Sequence, residues 1–91
     1  MAEKIRCSHI LVKKEALANE ILEKLNRGES FGKLAEQFSI DGSRKSGGDL
    51  GFFGRGAMVR EFEKAAFSLK KGEISGIVRT QYGYHIIKRV D

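Results

Sequence analysis

His9, Asp41, His85 and Cys7 are the side chains of this sequence whose types could do chemistry. Two imidazoles and a carboxylate make a set that can hold and pass protons near neutral pH. A thiol beside an imidazole becomes a nucleophile when that base activates it. Cys7 and His9 stand two apart, however, so on a strand they lie side by side on one face. Nothing around Cys7 marks it as activated, and it reads as a small buried residue. A zinc site needs three or four ligands at recognisable spacing. No Cys-x-x-Cys, His-x-His or His-x-x-x-His occurs, so no metal is expected. Each histidine taken alone reads as a core residue bonded to its twin or to backbone. Spacing alone leaves structural and catalytic roles open.

The elements that must position these groups follow from periodicity. Lys4 to Val12 alternates as a strand, with Ile5, Cys7, His9 and Leu11 on one face and Ser8, Ile10 and Val12 on the other. Glu15 to Arg27 carries Leu17, Ile21 and Leu25 at helical spacing, and Gly28 stops it. Ser30 caps a second helix that buries Phe31, Leu34, Ala35 and Phe38. Ile40 to Gly56, rich in Gly, Ser and Asp, reads as a loop, a brief strand at Leu50-Gly51-Phe52-Phe53, and a turn. Met58 to Ser68 has the spacing of a third helix. Ile74 to Thr80 and Tyr84 to Val90 read as strands joined by a hairpin turn at Gln81-Tyr82-Gly83. His9-Ile10-Leu11-Val12-Lys13 is echoed by His85-Ile86-Ile87-Lys88, so neighbouring first and last strands would bring the two histidines together. The order predicts an α+β fold on a mostly antiparallel sheet, as one domain over residues 1–91.

Composition sets outer limits. Ninety-one residues bury roughly 60–65% of the surface of the unfolded chain, so six Phe and two Tyr, without Trp, supply most of the bulky packing. A single cysteine allows no internal disulfide and fits a reducing compartment. The first residues carry no apolar run, and no stretch reaches the roughly 18 apolar residues of a membrane span. A cytoplasmic, monomeric protein is expected. The net charge of +5 comes from 17 Lys+Arg against 12 Asp+Glu, with no basic run beyond doublets. These charges read as a solvated surface; weak association with anionic membrane or nucleic acid is a secondary expectation.

The order of the motifs says more than any one of them. Cys7-Ser8-His9-Ile10-Leu11-Val12-Lys13, then Gly47-Gly48-Asp49-Leu50-Gly51-Phe52-Phe53, resemble the opening strand and glycine-rich signature of the parvulin family of peptidyl-prolyl isomerases. Met58-Val59-Arg60-Glu61-Phe62 with Ala65-Ala66-Phe67 resembles its pocket helix, and Gly72-Glu73-Ile74-Ser75 with Tyr82-Gly83-Tyr84-His85-Ile86-Ile87 its closing hairpin. The match runs from Lys4 to Val90. It implies a four-stranded sheet wrapped by three to four helices, with a substrate cleft and no cofactor. His9 and His85 then match the paired histidines of the cleft floor, and Asp41 a position held by Cys or Asp. Leu50, Met58 and Phe62 match the apolar pocket for the proline ring. Ser43 and Thr80 match polar positions bordering the cleft, and Leu11 is expected to line it. Two departures stand out: Arg60 and Ile77 replace prolines common in the family.

The resemblance implies an enzyme that speeds rotation about X–Pro bonds in unfolded or flexible segments, as a folding helper. A carboxylate at the Cys/Asp position speaks against an obligatory thiol mechanism. The connection after the first strand is short, Lys13-Lys14-Glu15, and leads straight into a helix, so the long arginine-bearing loop of phosphate-directed parvulins is missing and no phosphate dependence is expected. A module that binds proline-containing peptides without turning them over is the alternative.

Overall fold

The computed structural model describes residues 3–91. In chain order it contains β1 (Lys4–Val12), α1 (Glu15–Asn26), α2 (Phe31–Phe38), a 3₁₀ turn (Gly42–Ser46), β2 (Asp49–Gly54), α3 (Arg60–Ser68), β3 (Ile74–Thr80) and β4 (Gly83–Arg89). The strands form one sheet in the order β2-β1-β4-β3, and all three pairings are antiparallel. The α+β architecture predicted from the motif order is the one observed.

Alternation along β1 divides the core in two. Ile10, Val12 and Ile86 point to one face, where α1 and α2 bring Ala18, Ile21, Phe31, Leu34 and Ala35. Ile5, Cys7 and Ile87 point to the other, where β2 and α3 bring Phe53, Phe62 and Ala66. The helices end by local chemistry. At α1 the Gly28 N–H bonds the Leu25 carbonyl and the Glu29 N–H bonds the Lys24 carbonyl, the double closure of a Schellman motif. Ser30 Oγ caps α2 by accepting the Lys33 N–H.

Coverage of the second face is incomplete, and this positions the site. Nine residues of α3 span about 13 Å, whereas the nine-residue β1 runs for about 30 Å. Ile5 and Cys7 are fully covered, and the face continues past them to His9 and Leu11. An open end remains over the C-terminal half of β1.

The first helix and the last strand end within one residue of expectation, and two larger departures lie next to the site. The third helix was expected from Met58 and begins at Arg60, because Val59 is extended at φ −60° and ψ 151°. The Gly/Ser-rich stretch before β2 contains the 3₁₀ turn, started by the Asp41 carboxylate accepting the Ser43 N–H. Ile77 lies on edge strand β3 beside a register irregularity, and Arg60 is the first residue of α3. Both are positions that accept proline or do without it.

Candidate active site

The uncovered end of the sheet forms a cleft of about 270 Å³, lined by His9, Leu11, Asp41, Leu50, Ala57, Met58, Val59, Phe62, Tyr82 and His85. That is near the lower end of small-molecule sites, about 300–1,000 Å³, and suits one ring rather than an extended ligand. Its walls are chiefly apolar. Its floor is the pair of histidines.

His9 and His85 are both buried. They come from adjacent strands, with Nδ1 of one 3.1 Å from Nδ1 of the other and their rings stacked at 5.2 Å between centroids. Phe62 stands edge-on to both, at 5.5 Å and 5.3 Å, joining the histidine floor to the apolar wall. His85 Nε2 lies 2.7 Å from Thr80 Oγ1, which also accepts the Tyr82 N–H at 3.1 Å. His9 Nε2 lies 3.1 Å from Asp41 Oδ2. That approach is close but poorly aligned, and Nε2 is the one buried side-chain atom among the described residues without a directed hydrogen bond.

Charge sets the direction of this chain. Burial raises the Asp41 carboxyl; the Ser43 hydroxyl at 2.6 Å, the Ser43 N–H at 3.0 Å and His9 more than reverse this, taking its pKa down to about 2. Asp41 is therefore an anion, and the His9 proton belongs on Nε2, facing it. His9 Nδ1 then accepts from His85 Nδ1–H, and His85 Nε2 accepts from the Thr80 hydroxyl. The His85 and Thr80 donors each have an acceptor, and the His9 Nε2–H faces the Asp41 charge off line. The reverse order would set a bare Nε2 against a carboxylate. Burial, reinforced by the neighbouring His9, lowers the His85 pKa to about 4 against the smaller upward pull of Asp41, so His85 is neutral at pH 7.

Close backbone contacts hold the floor. The His9 N–H bonds the Gly48 carbonyl at 2.9 Å, and a Cβ at Gly48, where φ is +88°, would collide with the His9 carbonyl oxygen. Ser39 Oγ accepts both the Leu11 N–H at 3.1 Å and the Asp41 N–H at 3.3 Å, tying the acidic loop to β1. Leu50 is fixed from behind. Arg6 grips Asp49 through Nε at 3.1 Å and Nη2 at 2.5 Å, and Asp49 Oδ1 accepts the Gly51 N–H at 2.9 Å.

Of the residues expected at the site, His9, Leu11, Asp41, Leu50, Met58, Phe62 and His85 all line the cleft. Ser43 and Thr80, expected at its border, stand behind it: Ser43 supports Asp41, and buried Thr80 supports His85. Short polar side chains at a loop and a strand end give no sequence sign of which way they point. Ala57, Val59 and Tyr82 line the cleft and were not anticipated. Tyr82, half exposed in the β3–β4 turn, was the most legible of the three, since an aromatic in a tight turn has little core to enter. Cys7 lies in the core with no exposure, and burial pushes its thiol up to about 11. It is neither ionised nor at the cleft, which removes the Cys/His nucleophile.

Comparison with known proteins agrees with this geometry. The family model described as a PPIC-type PPIase domain matches residues 1–91. The foldase protein PrsA of Geobacillus kaustophilus is 61% identical over 89 residues, covering 97% of this chain and 32% of that protein. The chain thus spans about a third of the length of the curated relatives it matches. The crystal structure of the peptidylprolyl isomerase PrsA from Bacillus anthracis superposes with a TM-score of 0.93 at 54% identity, covering 94% of this chain and 40% of that one. The solution structure of NmPin, the parvulin of Nitrosopumilus maritimus, superposes at 0.89 and 54% identity, covering 100% of this chain and 99% of that one. With the sequence match and the superposed fold in agreement, this chain belongs to the PPIC-type peptidyl-prolyl isomerase domains, the parvulins.

Proposed function

We propose that the cleft isomerises X–Pro bonds without covalent chemistry and without a phosphate requirement, on unfolded or flexible protein segments. The observation that carries this reading is an apolar ring-sized cleft closed on one side by a buried, hydrogen-bonded histidine pair and an anionic Asp41.

Rotation about the bond must break amide resonance, a barrier of roughly 18–20 kcal/mol. An acceleration of about 10³- to 10⁵-fold needs only ~4–7 kcal/mol of preferential stabilisation. A planar amide is more dipolar than a twisted one, so an apolar wall of Leu50, Met58 and Phe62 favours the twist. Holding the prolyl ring there while the preceding carbonyl turns supplies the rest by orientation. His9, His85 and Asp41 shape the polar side over which that carbonyl moves. No nucleophile is needed, and the buried Cys7 offers none.

Indifference to phosphate is supported by the first connection. β1 ends at Val12 and α1 begins at Glu15, so two lysines lie between them. Lys13 Nζ already donates to the Tyr82 carbonyl at 2.9 Å. No pair of guanidinium groups is offered to a phosphate there. Matched peptides with Ala-Pro, Ser-Pro and phosphoserine-Pro test this: turnover within a few-fold across the set supports the reading, and a strong preference for phosphate overturns it. A monomeric, cytoplasmic folding helper remains part of the proposal, as does weak, salt-sensitive association of the basic surface with anionic membrane or nucleic acid. Sedimentation and salt-dependent binding to vesicles and DNA read out the oligomeric state and the surface association.

A further inference from the structure

Residues 55–59, between β2 and α3, give Ala57, Met58 and Val59 to the cleft while lying outside regular structure. The helix they lead into has no capping side chain, since its N-cap is Val59. A connection of this kind is free to move unless something else restrains it. Two contacts do so. Glu63 Oε1 reaches back to accept the Gly56 N–H at 2.6 Å, a charge-assisted bond. The Arg55 guanidinium lies 4.2 Å above the Phe67 ring and 3.4 Å from the Glu3 carboxylate. Glu63 and Phe67 belong to the helix that carries Phe62. The loop wall of the cleft is thereby fastened to its helix wall.

We propose that Glu63 is a positioning residue that sets how tightly the cleft grips the prolyl ring, by holding Met58 and Val59 against Phe62 through Gly56. It does not line the cleft, and its action on substrate passes through the loop. The kinetic consequence rests on the isomerase reading; the structural consequence rests on the contact alone.

The test uses the full chain with Glu63→Ala, Glu63→Asp, Glu63→Gln and the double variant Glu63→Ala/Arg60→Pro. Asp is one methylene too short to keep the bond, whereas Gln retains an acceptor oxygen. Proline at position 60 offers an independent restraint: the first helical residue accepts its fixed φ, and Val59 already has the extended conformation of a pre-proline residue. The readouts are the order parameter of the Met58 methyl group by NMR, and KM and kcat on an uncharged X–Pro peptide. Ala and Asp variants should lower the Met58 order parameter and raise KM about 3- to 10-fold, the scale of immobilising one flexible side chain. Their kcat should stay within about twofold, the Gln variant should resemble the parent, and Arg60→Pro should recover much of the lost KM. An unchanged Met58 order parameter in the Ala and Asp variants overturns the proposal, as does a fall in kcat at constant KM. If the parent protein shows no turnover, the isomerase reading fails, and the Met58 order parameter alone decides the role of Glu63.

Discussion

Nδ1 of His9 lies 3.1 Å from Nδ1 of His85, although the two are not opposite one another in the sheet. His9 pairs with Ile87 and His85 with Leu11, so the histidines meet along the diagonal between antiparallel strands. Because the contact runs from Nδ1 to Nδ1, each ring turns its Nε2 to a second partner, Asp41 on one side and Thr80 on the other.

Truncating one end of this chain strands the other. His85→Ala leaves His9 Nδ1 and Thr80 Oγ1 buried without the imidazole that each of them bonds, at a cost of about 2–4 kcal/mol from lost hydrogen bonds and a small cavity. The variant should remain folded at 25 °C, with its urea midpoint lowered and its turnover reduced. Asp41→Asn keeps an oxygen for the Ser43 cap but loses the charge that Ser43 and His9 stabilise, so the fold should survive with its stability lowered by about 1–2 kcal/mol while turnover falls. Full activity in both variants contradicts a working polar set.

Acid should weaken the fold in two stages. The His85 pKa is lowered from 6.5 to about 4, so between those values the unfolded chain binds the extra proton. Its contribution is complete above pH 6.5 and is lost as pH falls toward 4, by roughly 3 kcal/mol. The Asp41 pKa is lowered from 3.8 to about 2, so its contribution is present above 3.8 and disappears as pH falls to 2. Urea midpoints across this range, with the ring signals of His85 followed by NMR, check the assignment. A His85 ring titrating near 6.5 in the folded protein contradicts it.

Gly48→Ala should be among the most damaging small substitutions. A methyl group there meets the His9 carbonyl oxygen and must also adopt φ +88°. The expected loss exceeds about 1 kcal/mol, and the displaced His9 should lower turnover further than the stability loss explains. Calorimetry beside a kinetic assay separates the two. An Ala variant with parental Tm and parental turnover shows that the close approach is dispensable.

The arrangement of the core was legible because alternation along β1 and helical spacing in α1 and α2 report burial directly. The echo between the two histidine segments also pointed to neighbouring strands, as found. What stayed hidden was set by long-range contacts. The Arg6–Asp49 grip behind Leu50 joins residues 43 apart and leaves no periodic trace. Met58 and Val59 mimic a helical turn because they face the same cleft as Phe62, yet they are loop residues. Ser43 and Thr80 could be placed near the site, but it is the fold that turns each hydroxyl to a titratable neighbour.

The most direct test is NMR magnetisation exchange on short uncharged X–Pro peptides, with catalytic amounts of protein. The account predicts cis/trans exchange accelerated well beyond the uncatalysed time of roughly tens to hundreds of seconds. Met58→Ala and Phe62→Leu should remove most of that acceleration while the chain stays folded. Peptide shifts that map to Leu50, Met58 and Phe62 without faster exchange contradict it, and make the cleft a proline-binding site alone.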